Sequence, residues 1–365
     1  MRLLALGRAV LENRRGGVPR PSLCTYLVSY RCNARCGMCD SWRMKPGSEL
    51  TAPEVDRIFA DIGRLDLVRL TGGEPFLRED LPEIARCIQQ RSEPEVLHVT
   101  TNGSLPERIE AFVDGFPAPE RLRFLVSFDG LAVEHDRSRG KEVTFERALE
   151  TVGRLVRLRK RGARVSVNHT VISPRSLADS AGLRARFEAL GVDVQSVIAY
   201  ASSATYGLKL RGKRAEHLIV PDGYPVHPAL ANEDLVGFVD AELAATRRIR
   251  DPLLRLGKRY YLRGLRARLA GTGTEEFGPR CVAVRSHLRL LPDGSVPVCQ
   301  FNGETLGNLR LQAFDELWAS HAAASARRWV DACPGCWAEC EVMPSAVYTG
   351  DVLRALLPAR AARTS

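Results

Sequence analysis

The segment Tyr30–Trp42, YRCNARCGMCDSW, places three cysteines within eight residues, directly after a predicted strand, Leu23–Ser29. Cys32, Cys36 and Cys39 have the spacing C-x3-C-x2-C. Closely spaced thiols in a chain with no sign of secretion indicate metal or cluster ligation. A cubane iron–sulfur cluster takes four ligands, so a three-cysteine loop would leave one iron open to a molecule other than protein. A zinc loop completed by a distant ligand is the alternative.

Short apolar strands alternate with amphipathic helices on either side of this loop and as far as about residue 199. Thr51-Ala52-Pro53-Glu54 has the pattern of a capping box at the start of the first such helix. Six strand–helix units predict an α/β fold, with a parallel sheet closed or partly closed into a (β/α)6, TIM-like barrel. The predicted strands are Leu23–Ser29, Leu67–Thr71, Val96–Thr101, Arg123–Phe128, Arg164–Ile172 and Val194–Tyr200. The predicted helices include Pro53–Gly63, Leu81–Gln90, Phe145–Arg161 and Leu177–Leu190.

The composition is that of a folded protein: of 365 residues, 45% are hydrophobic and 26% are charged, which excludes a disordered or fibrous chain. No apolar run approaches the length of a membrane span and no cleavable signal is apparent, so we expect a soluble, cytoplasmic protein. Most of the net charge of +10 lies between Arg247 and Arg268. This basic segment suits an anionic ligand or a membrane surface, but a solvated helix face is the favoured interpretation, and no nucleic-acid motif accompanies it.

These patterns divide the chain into five predicted segments. We expect an N-terminal extension over residues 1–22, the barrel over 23–205, a basic and largely helical linker over 206–280, a small cysteine-rich α+β domain over 281–345 and a tail over 346–365.

A second motif, Thr71-Gly72-Gly73-Glu74-Pro75, ends the second predicted strand. Glycines let the main chain approach a ligand closely, and the carbonyls and carboxylate of such a turn accept hydrogen bonds from an ammonium group. By itself this string is an ordinary turn. In a parallel sheet, however, it lies at the same edge as the cysteine loop.

Together, the cysteine loop and the GGEP string resemble the radical S-adenosylmethionine (SAM) superfamily. The resemblance implies that Cys32, Cys36 and Cys39 hold a [4Fe–4S] cluster whose open iron binds the amino and carboxylate groups of SAM. One electron from that cluster then releases a 5′-deoxyadenosyl radical. The resemblance also implies that the turn Gly72–Glu74 holds the methionyl amine.

The resemblance extends to residues near other strand ends. It implies that Met38 contacts the adenine, that Asn102 and Ser127 contact SAM or substrate, and that Arg139 reaches the SAM carboxylate. Asn102 lies in an Asn-Gly pair, so ordinary turn chemistry is the alternative there. The candidates for a catalytic base are Asp129, His135 and Tyr26.

Five cysteines near the carboxyl end form a second group. The first two flank a predicted turn, Pro292–Ser295, that would bring their sulfurs together. This arrangement resembles the C-terminal auxiliary-cluster modules of the superfamily, the SPASM domain and its shorter twitch relative. The resemblance implies one auxiliary [4Fe–4S] cluster, and a structural zinc ribbon is the alternative. The ligands we favour are Cys281, Cys299, Cys333 and Cys336, with Cys340 as an alternative ligand.

The remaining cysteines and strand histidines stand apart from both groups. Cys24 and Cys87 are expected to behave as small core hydrophobes. His98 and His169 lie within predicted strands and are expected to be satisfied interior or surface histidines.

These features predict an enzyme that cleaves SAM reductively, removes a hydrogen atom from its substrate and passes the remaining electron to the auxiliary cluster. An external donor such as flavodoxin or ferredoxin would supply the first electron. Because only about 22 residues precede the first strand, we expect a small metabolite, either sugar-like, aminocyclitol-like or phosphorylated. A peptide-modifying enzyme is the alternative within the superfamily. A zinc-binding module for an anionic partner is the alternative outside it.

Overall fold

The computed structural model describes residues 3–45, 47–201 and 218–357, so residues 206–217 of the predicted linker and 358–365 of the predicted tail lie outside the described residues. All six predicted strands are present, with bounds that differ by a few residues at most. The strands are β1 Leu23–Ser29, β2 Leu67–Gly72, β3 Val96–Thr101, β4 Leu122–Phe128, β5 Arg164–Val171, β6 Asp193–Ile198, β7 His287–Leu290, β8 Ser295–Pro297 and β9 Thr305–Asn308. The helices are α1 Leu3–Arg14, α2 Ala52–Ile62, α3 Leu81–Ser92, α4 Pro106–Gly115, α5 Ala132–Arg139, α6 Thr144–Arg157, α7 Pro174–Glu188, α8 Asn232–Ala245, α9 Pro252–Ala270, α10 Phe314–Ala319, α11 His321–Ala332 and α12 Glu339–Thr349.

Seven of these strands form one parallel sheet in the order β6-β5-β4-β3-β2-β1-β7, and within the described residues it does not close into a barrel. The seventh strand was not predicted. It comes from the segment 281–345 and pairs in register with β1, from Leu23 opposite His287 to Tyr26 opposite Leu290. The cysteine-rich segment is therefore attached to the sheet through β7, and its two-stranded β8–β9 hairpin follows directly.

The two faces of the sheet differ in burial. Along β2 and β3, Val68, Leu70, Leu97 and Val99 are fully buried in the core that the helices cover, while the residues between them keep part of their surface exposed. Helix α2 contributes to this core because its apolar residues recur on one face, and each fully buried large side chain contributes about 1.5–3 kcal/mol. On the other face, side chains of β2 to β6 keep part of their surface exposed, whereas those of β1 and β7 are buried.

The basic segment is used inside the fold. Lys258 and Arg268 on α9 are only 2% and 8% exposed. Lys258 forms an ion pair with Glu339, and the Arg268 guanidinium lies 3.7 Å from the centre of the Trp337 ring. The expectation of a solvated helix face is therefore wrong at these positions, because α9 packs against α8 and α12. None of the described helices has the length and apolar composition that a bilayer-spanning segment requires.

Candidate active site at the carboxyl ends of the strands

The cysteine loop leaves β1 at the carboxyl edge of the sheet and is shaped by its own hydrogen bonds. The Cys39 amide donates to the Cys36 carbonyl at 3.2 Å, and the Trp42 indole donates to the same carbonyl at 3.2 Å. The Ser41 hydroxyl donates to the Tyr30 carbonyl at 2.8 Å, which closes the loop on the end of the strand. Cys36 is buried, whereas Cys32 and Cys39 are partly exposed.

Burial raises the pKa of all three thiols, and that of Cys39 to about 12. The negative charge of one thiolate would raise the pKa of its neighbours further, because the sulfurs of the loop lie near one another. A cysteine must lose its proton to bind a metal, so neutral buried thiols of this kind bind a cation in exchange for protons.

The donor set of this loop suits an iron–sulfur cluster, because thiolates are the ligands such clusters take. Among the described residues, no three Cys, His, Asp or Glu side chains converge as the ligands of one metal ion do. The ligands of a cubane bind different irons, so they need not converge on one point. The loop therefore fits a cluster by the chemistry of its donors.

Gly72 and Gly73 seat the cysteine loop against the end of β2. A Cβ atom would lie 2.2 Å from the Ser29 carbonyl oxygen at Gly72 and 2.0 Å from the Arg31 carbonyl oxygen at Gly73. The Gly73 amide donates to the Ser29 carbonyl at 2.7 Å, and the Glu74 amide donates to the Arg31 carbonyl at 2.8 Å. The structure thus gives these glycines a packing role that the motif alone did not reveal.

The Glu74 carboxylate joins the ends of β2 and β3 and is fully buried. It accepts hydrogen bonds from the Thr101 hydroxyl at 2.8 Å, the Asn102 amide at 2.7 Å and the Phe76 amide at 3.1 Å. A carboxylate can accept about four hydrogen bonds, so three donors leave room for one more. Burial raises the pKa of Glu74 to about 7.

Asn102 connects β3 to the cysteine loop. Its side-chain amide donates to the Asn33 side-chain oxygen at 2.8 Å, and the Asn33 amide donates to the Ser104 hydroxyl at 2.9 Å. Asn33 was missed by the sequence analysis, and its only signal there was its position beside Cys32. The pair holds the loop to the neighbouring strand end.

Asp129 and Arg139 form a buried ion pair beside the cysteine loop. The Arg139 Nε and Nη2 atoms lie 2.7 and 2.8 Å from the Asp129 carboxylate, which also accepts from the Ser138 hydroxyl at 2.8 Å. Arg139 Nη1 lies 3.7 Å from the Cys36 sulfur. The structure therefore places Asp129 as an orienting partner of Arg139, and Arg139 against a cysteine.

The other sequence candidates lie on different elements. His135 is fully buried, and its Nδ1 atom accepts from the Asp129 amide at 3.2 Å. Burial lowers the pKa of His135 to about 2, so the ring is neutral. Tyr26 packs 6.2 Å from the Phe59 ring on the helix-covered side and is not brought to the cysteine loop. Ser127 is partly exposed opposite Asn168 on β5, and Met38 is partly exposed within the loop.

His169 on β5 is fully buried, as expected of an interior histidine. Burial lowers its pKa to about 4, whereas a hydrogen bond with the Ser176 backbone raises it, and the ring is neutral at pH 7.

The second cysteine group lies around the β8–β9 hairpin and the start of α12. Cys299, Cys336 and Cys340 pack together against Leu218, Phe301 and Ala338, which are buried. Cys281 packs with Cys299 against the main core, whereas Cys333 belongs to neither apolar cluster. The Cys340 thiol also donates to the Gln300 side-chain oxygen at 2.8 Å. Closely spaced, buried thiols suit a fully ligated cluster.

Two parts of the chain match models of known families. Residues 26–180 match the radical SAM superfamily, and residues 281–340 match the SPASM iron–sulfur cluster-binding domain. GTP 3′,8-cyclase of Aquifex aeolicus (strain VF5) is 33% identical over 181 residues, which are 46% of this chain and 53% of that protein. Pre-heme d1 synthase of Dinoroseobacter shibae is 30% identical over 211 residues, which are 55% of this chain and 48% of that protein. The chain thus spans about half the length of these curated relatives.

Solved structures share the fold at low sequence identity. The structure titled anSMEcpe with bound AdoMet has a TM-score of 0.59 and 15% identity, covering 92% of this chain and 93% of its own. Streptococcus suis SuiB bound to S-adenosylmethionine has a TM-score of 0.60 and 14% identity, covering 88% of this chain and 72% of its own. Likeness at these identities shows the fold alone.

Proposed function

Because the chain carries a radical SAM domain followed by a SPASM iron–sulfur domain, we propose that it is an enzyme that cleaves SAM reductively and oxidises a small polar metabolite. The observation that carries this proposal is the junction of the cysteine loop with the Gly72–Glu74 turn at one edge of the sheet. When bound, the first cluster and SAM supply a radical that removes a hydrogen atom from the substrate, and the auxiliary cluster supplies an acceptor for the electron left after a proton departs.

The residues of the cysteine loop would hold the first cluster, and its neighbours would hold SAM. Glu74 has a remaining acceptor position for the methionyl amine, while Gly73 keeps the loop close enough for both to act together. Arg139 lies against Cys36 and would stabilise its thiolate by a charge-assisted contact. Asp129 would act as a positioning residue, because it fixes the Arg139 guanidinium through two nitrogens.

The auxiliary cluster would be held by Cys281, Cys299, Cys336 and Cys340. The sequence favoured Cys333 and kept Cys340 as an alternative, but Cys340 shares the apolar cluster of Cys299 and Cys336 and Cys333 does not. The substrate would occupy the interior between the two groups, where polar side chains of the open sheet face are accessible. A net two-electron oxidation there needs no oxidant beyond SAM and the cluster, and flavodoxin or ferredoxin would donate the initiating electron.

The test is anaerobic reconstitution with iron and sulfide, reduction, and incubation with SAM. We expect about eight irons per chain and formation of 5′-deoxyadenosine. The substrate class is then read from deuterium transfer, because a labelled substrate delivers its deuterium to 5′-deoxyadenosine. Deuterium transfer from a labelled peptide would instead show that the substrate is a peptide. A colourless protein that contains zinc and leaves SAM intact would contradict the enzyme.

A further inference from the structure

The open face of the sheet carries a row of basic residues set by strand register. Arg69 on β2 lies opposite Thr25 on β1 and His98 on β3. The row continues to Arg123 on β4, and in the other direction from Thr25 to Arg289 on β7. Since side chains alternate between the faces of a strand, these residues point away from the helix-covered core.

Part of this row is accessible. Val68 and Leu70, on either side of Arg69, are fully buried, whereas Arg69 keeps part of its surface exposed. The same partial exposure is found along the open face at several hydroxyl and amide side chains. They are Thr71, Thr100, Ser127, Asn168 and Gln195. The lining is therefore suited to a polar ligand that hydrogen-bonds to it.

The charges around Arg69 do not balance. Arg289 lies 2.6 and 2.9 Å from the Glu341 carboxylate through two of its nitrogens, and His287 lies 3.3 Å from the same carboxylate. Lys258 takes the other nearby carboxylate, that of Glu339. Within the described residues, no carboxylate forms an ion pair with Arg69 itself.

The other members of the row are already committed or neutral. The Arg123 guanidinium donates to the Glu120 and Leu122 carbonyls at 2.6 and 2.9 Å. Burial lowers the pKa of His98 to about 3, so that ring carries no charge at neutral pH. Burial lowers the pKa of Arg69, whereas the neighbouring Cys340, Glu339 and Glu341 raise it. Arg69 is thus the cation of this row that is left to serve a ligand.

We infer that Arg69 anchors an anionic group of the substrate, a carboxylate or a phosphate, on the open face of the sheet. This inference rests on the proposed function, because it names the chemical class of the substrate of that reaction. A guanidinium presents a planar fork that matches both anions through two parallel hydrogen bonds. Holding a half-buried cation without an ion-pair partner is unfavourable, and a bound anion reduces that cost.

The test uses the reconstituted protein with inorganic phosphate and malonate as probes, followed by calorimetry and thermal unfolding. The variants are Arg69→Gln, which removes the charge, and Arg69→Lys, which keeps it. The matched control is Arg86→Gln, because Arg86 is an exposed arginine on α3. We expect phosphate or malonate to bind and stabilise the wild type and the control, with affinity reduced at least tenfold in Arg69→Gln and less in Arg69→Lys. In the absence of anions, Arg69→Gln should unfold no earlier than the wild type.

Two results would overturn the inference. One is that Arg69→Gln binds both anions with the affinity of the wild type, or that neither protein binds either anion. The other is a shifted reduction potential of the auxiliary cluster in Arg69→Gln with unchanged anion binding, which would assign Arg69 to the cluster near Cys340. SAM cleavage is measured on the same samples. Absence of cleavage in the wild type would count against the proposed function, whereas the Arg69 comparison rests on anion binding alone.

Discussion

At the scale of single residues, the site depends on glycines at positions where a side chain would collide with the backbone. Gly73 is the clearest case, because a Cβ atom there would lie 2.0 Å from the Arg31 carbonyl oxygen. That contact is with backbone, so no side-chain rotation relieves it. The sequence suggested close approach to a ligand at this glycine, whereas the structure shows close approach to the loop that carries the cysteines.

Gly73→Ala should therefore displace the cysteine loop. We expect the iron content after reconstitution to fall from about eight to about four per chain, because the auxiliary ligands lie elsewhere. Formation of 5′-deoxyadenosine should fall at least a hundredfold. Gly115→Ala is the control, since nothing lies within 4 Å of a Cβ at that position. Full iron content and full activity in Gly73→Ala would show that the loop does not need this contact.

Glu74 predicts a pH dependence of SAM affinity. Its pKa of about 7 means that the carboxyl is protonated below that pH in the SAM-free protein and must ionise to accept the methionyl ammonium. Affinity should fall by up to about tenfold per pH unit below about pH 7 and level off above it. In the SAM-free protein, the raised pKa also means that the folded state holds this proton more tightly than the unfolded chain does. The free energy of unfolding should therefore decline as pH rises from about 4.5 to 7.

Comparison with Glu74→Gln isolates this effect from titrations that belong to SAM. We expect the variant to bind SAM more weakly and to lose the wild-type dependence between pH 5.5 and pH 7. Calorimetric titrations at several pH values measure both. The assignment would fail if the two proteins showed parallel pH profiles.

At the scale of secondary-structure elements, helix α5 matters because it brings Arg139 to the cysteine loop. The pair with Asp129 is buried, with exposed fractions of 9% and 0% for the two side chains. Asp129→Asn should lower the free energy of unfolding by about 3–5 kcal/mol, since it leaves a buried guanidinium without its anion. Denaturant titration measures this.

The surface variant Glu107→Gln is the control for that prediction, because Glu107 pairs with Arg147 and Arg154 at the surface and exposed pairs contribute little to stability. Equal losses in the two variants would mean that the buried pair contributes no more than a surface pair.

The ligands proposed for the second cluster lie around the hairpin and α12, and iron content can distinguish between Cys333 and Cys340. Cys340→Ala should lose about four irons while still forming 5′-deoxyadenosine, and Cys333→Ala should keep all of its iron. Cys87→Ala serves as the reference, because Cys87 lies outside both groups. Loss of iron in Cys333→Ala but not in Cys340→Ala would restore the ligand set favoured from the sequence.

Sequence patterns predicted some of these elements and contacts but not others. Periodicity located β1 to β6, and the capping box at Thr51 and Glu54 is present as expected. It missed β7, because the four residues HLRL alternate too briefly to be distinguished from the hairpin that follows. It also missed the pairing of Asp129 with Arg139, since these residues meet only when α5 turns back over the end of β4. Contacts of this kind depend on tertiary packing, which local sequence patterns do not record.

At the scale of the whole molecule, the two cysteine groups belong to one continuous structure. β7 joins the cysteine-rich segment to the edge of the sheet at β1, and the loop with the first group leaves the same strand β1. Spacing predicted both groups, but it did not show that they share a strand pair. The two groups are thus joined through the pair of strands β1 and β7.

The most direct test of the central claim is the yield of 5′-deoxyadenosine from anaerobically reconstituted and reduced protein. The wild type is compared with a variant in which Cys32, Cys36 and Cys39 are all replaced by Ala. We expect steady formation of 5′-deoxyadenosine by the wild type and none by the variant. The variant should keep about four irons, bound by the cysteines near the carboxyl end. Formation of 5′-deoxyadenosine by the variant at the wild-type rate, or none by an iron-loaded wild type, would contradict it.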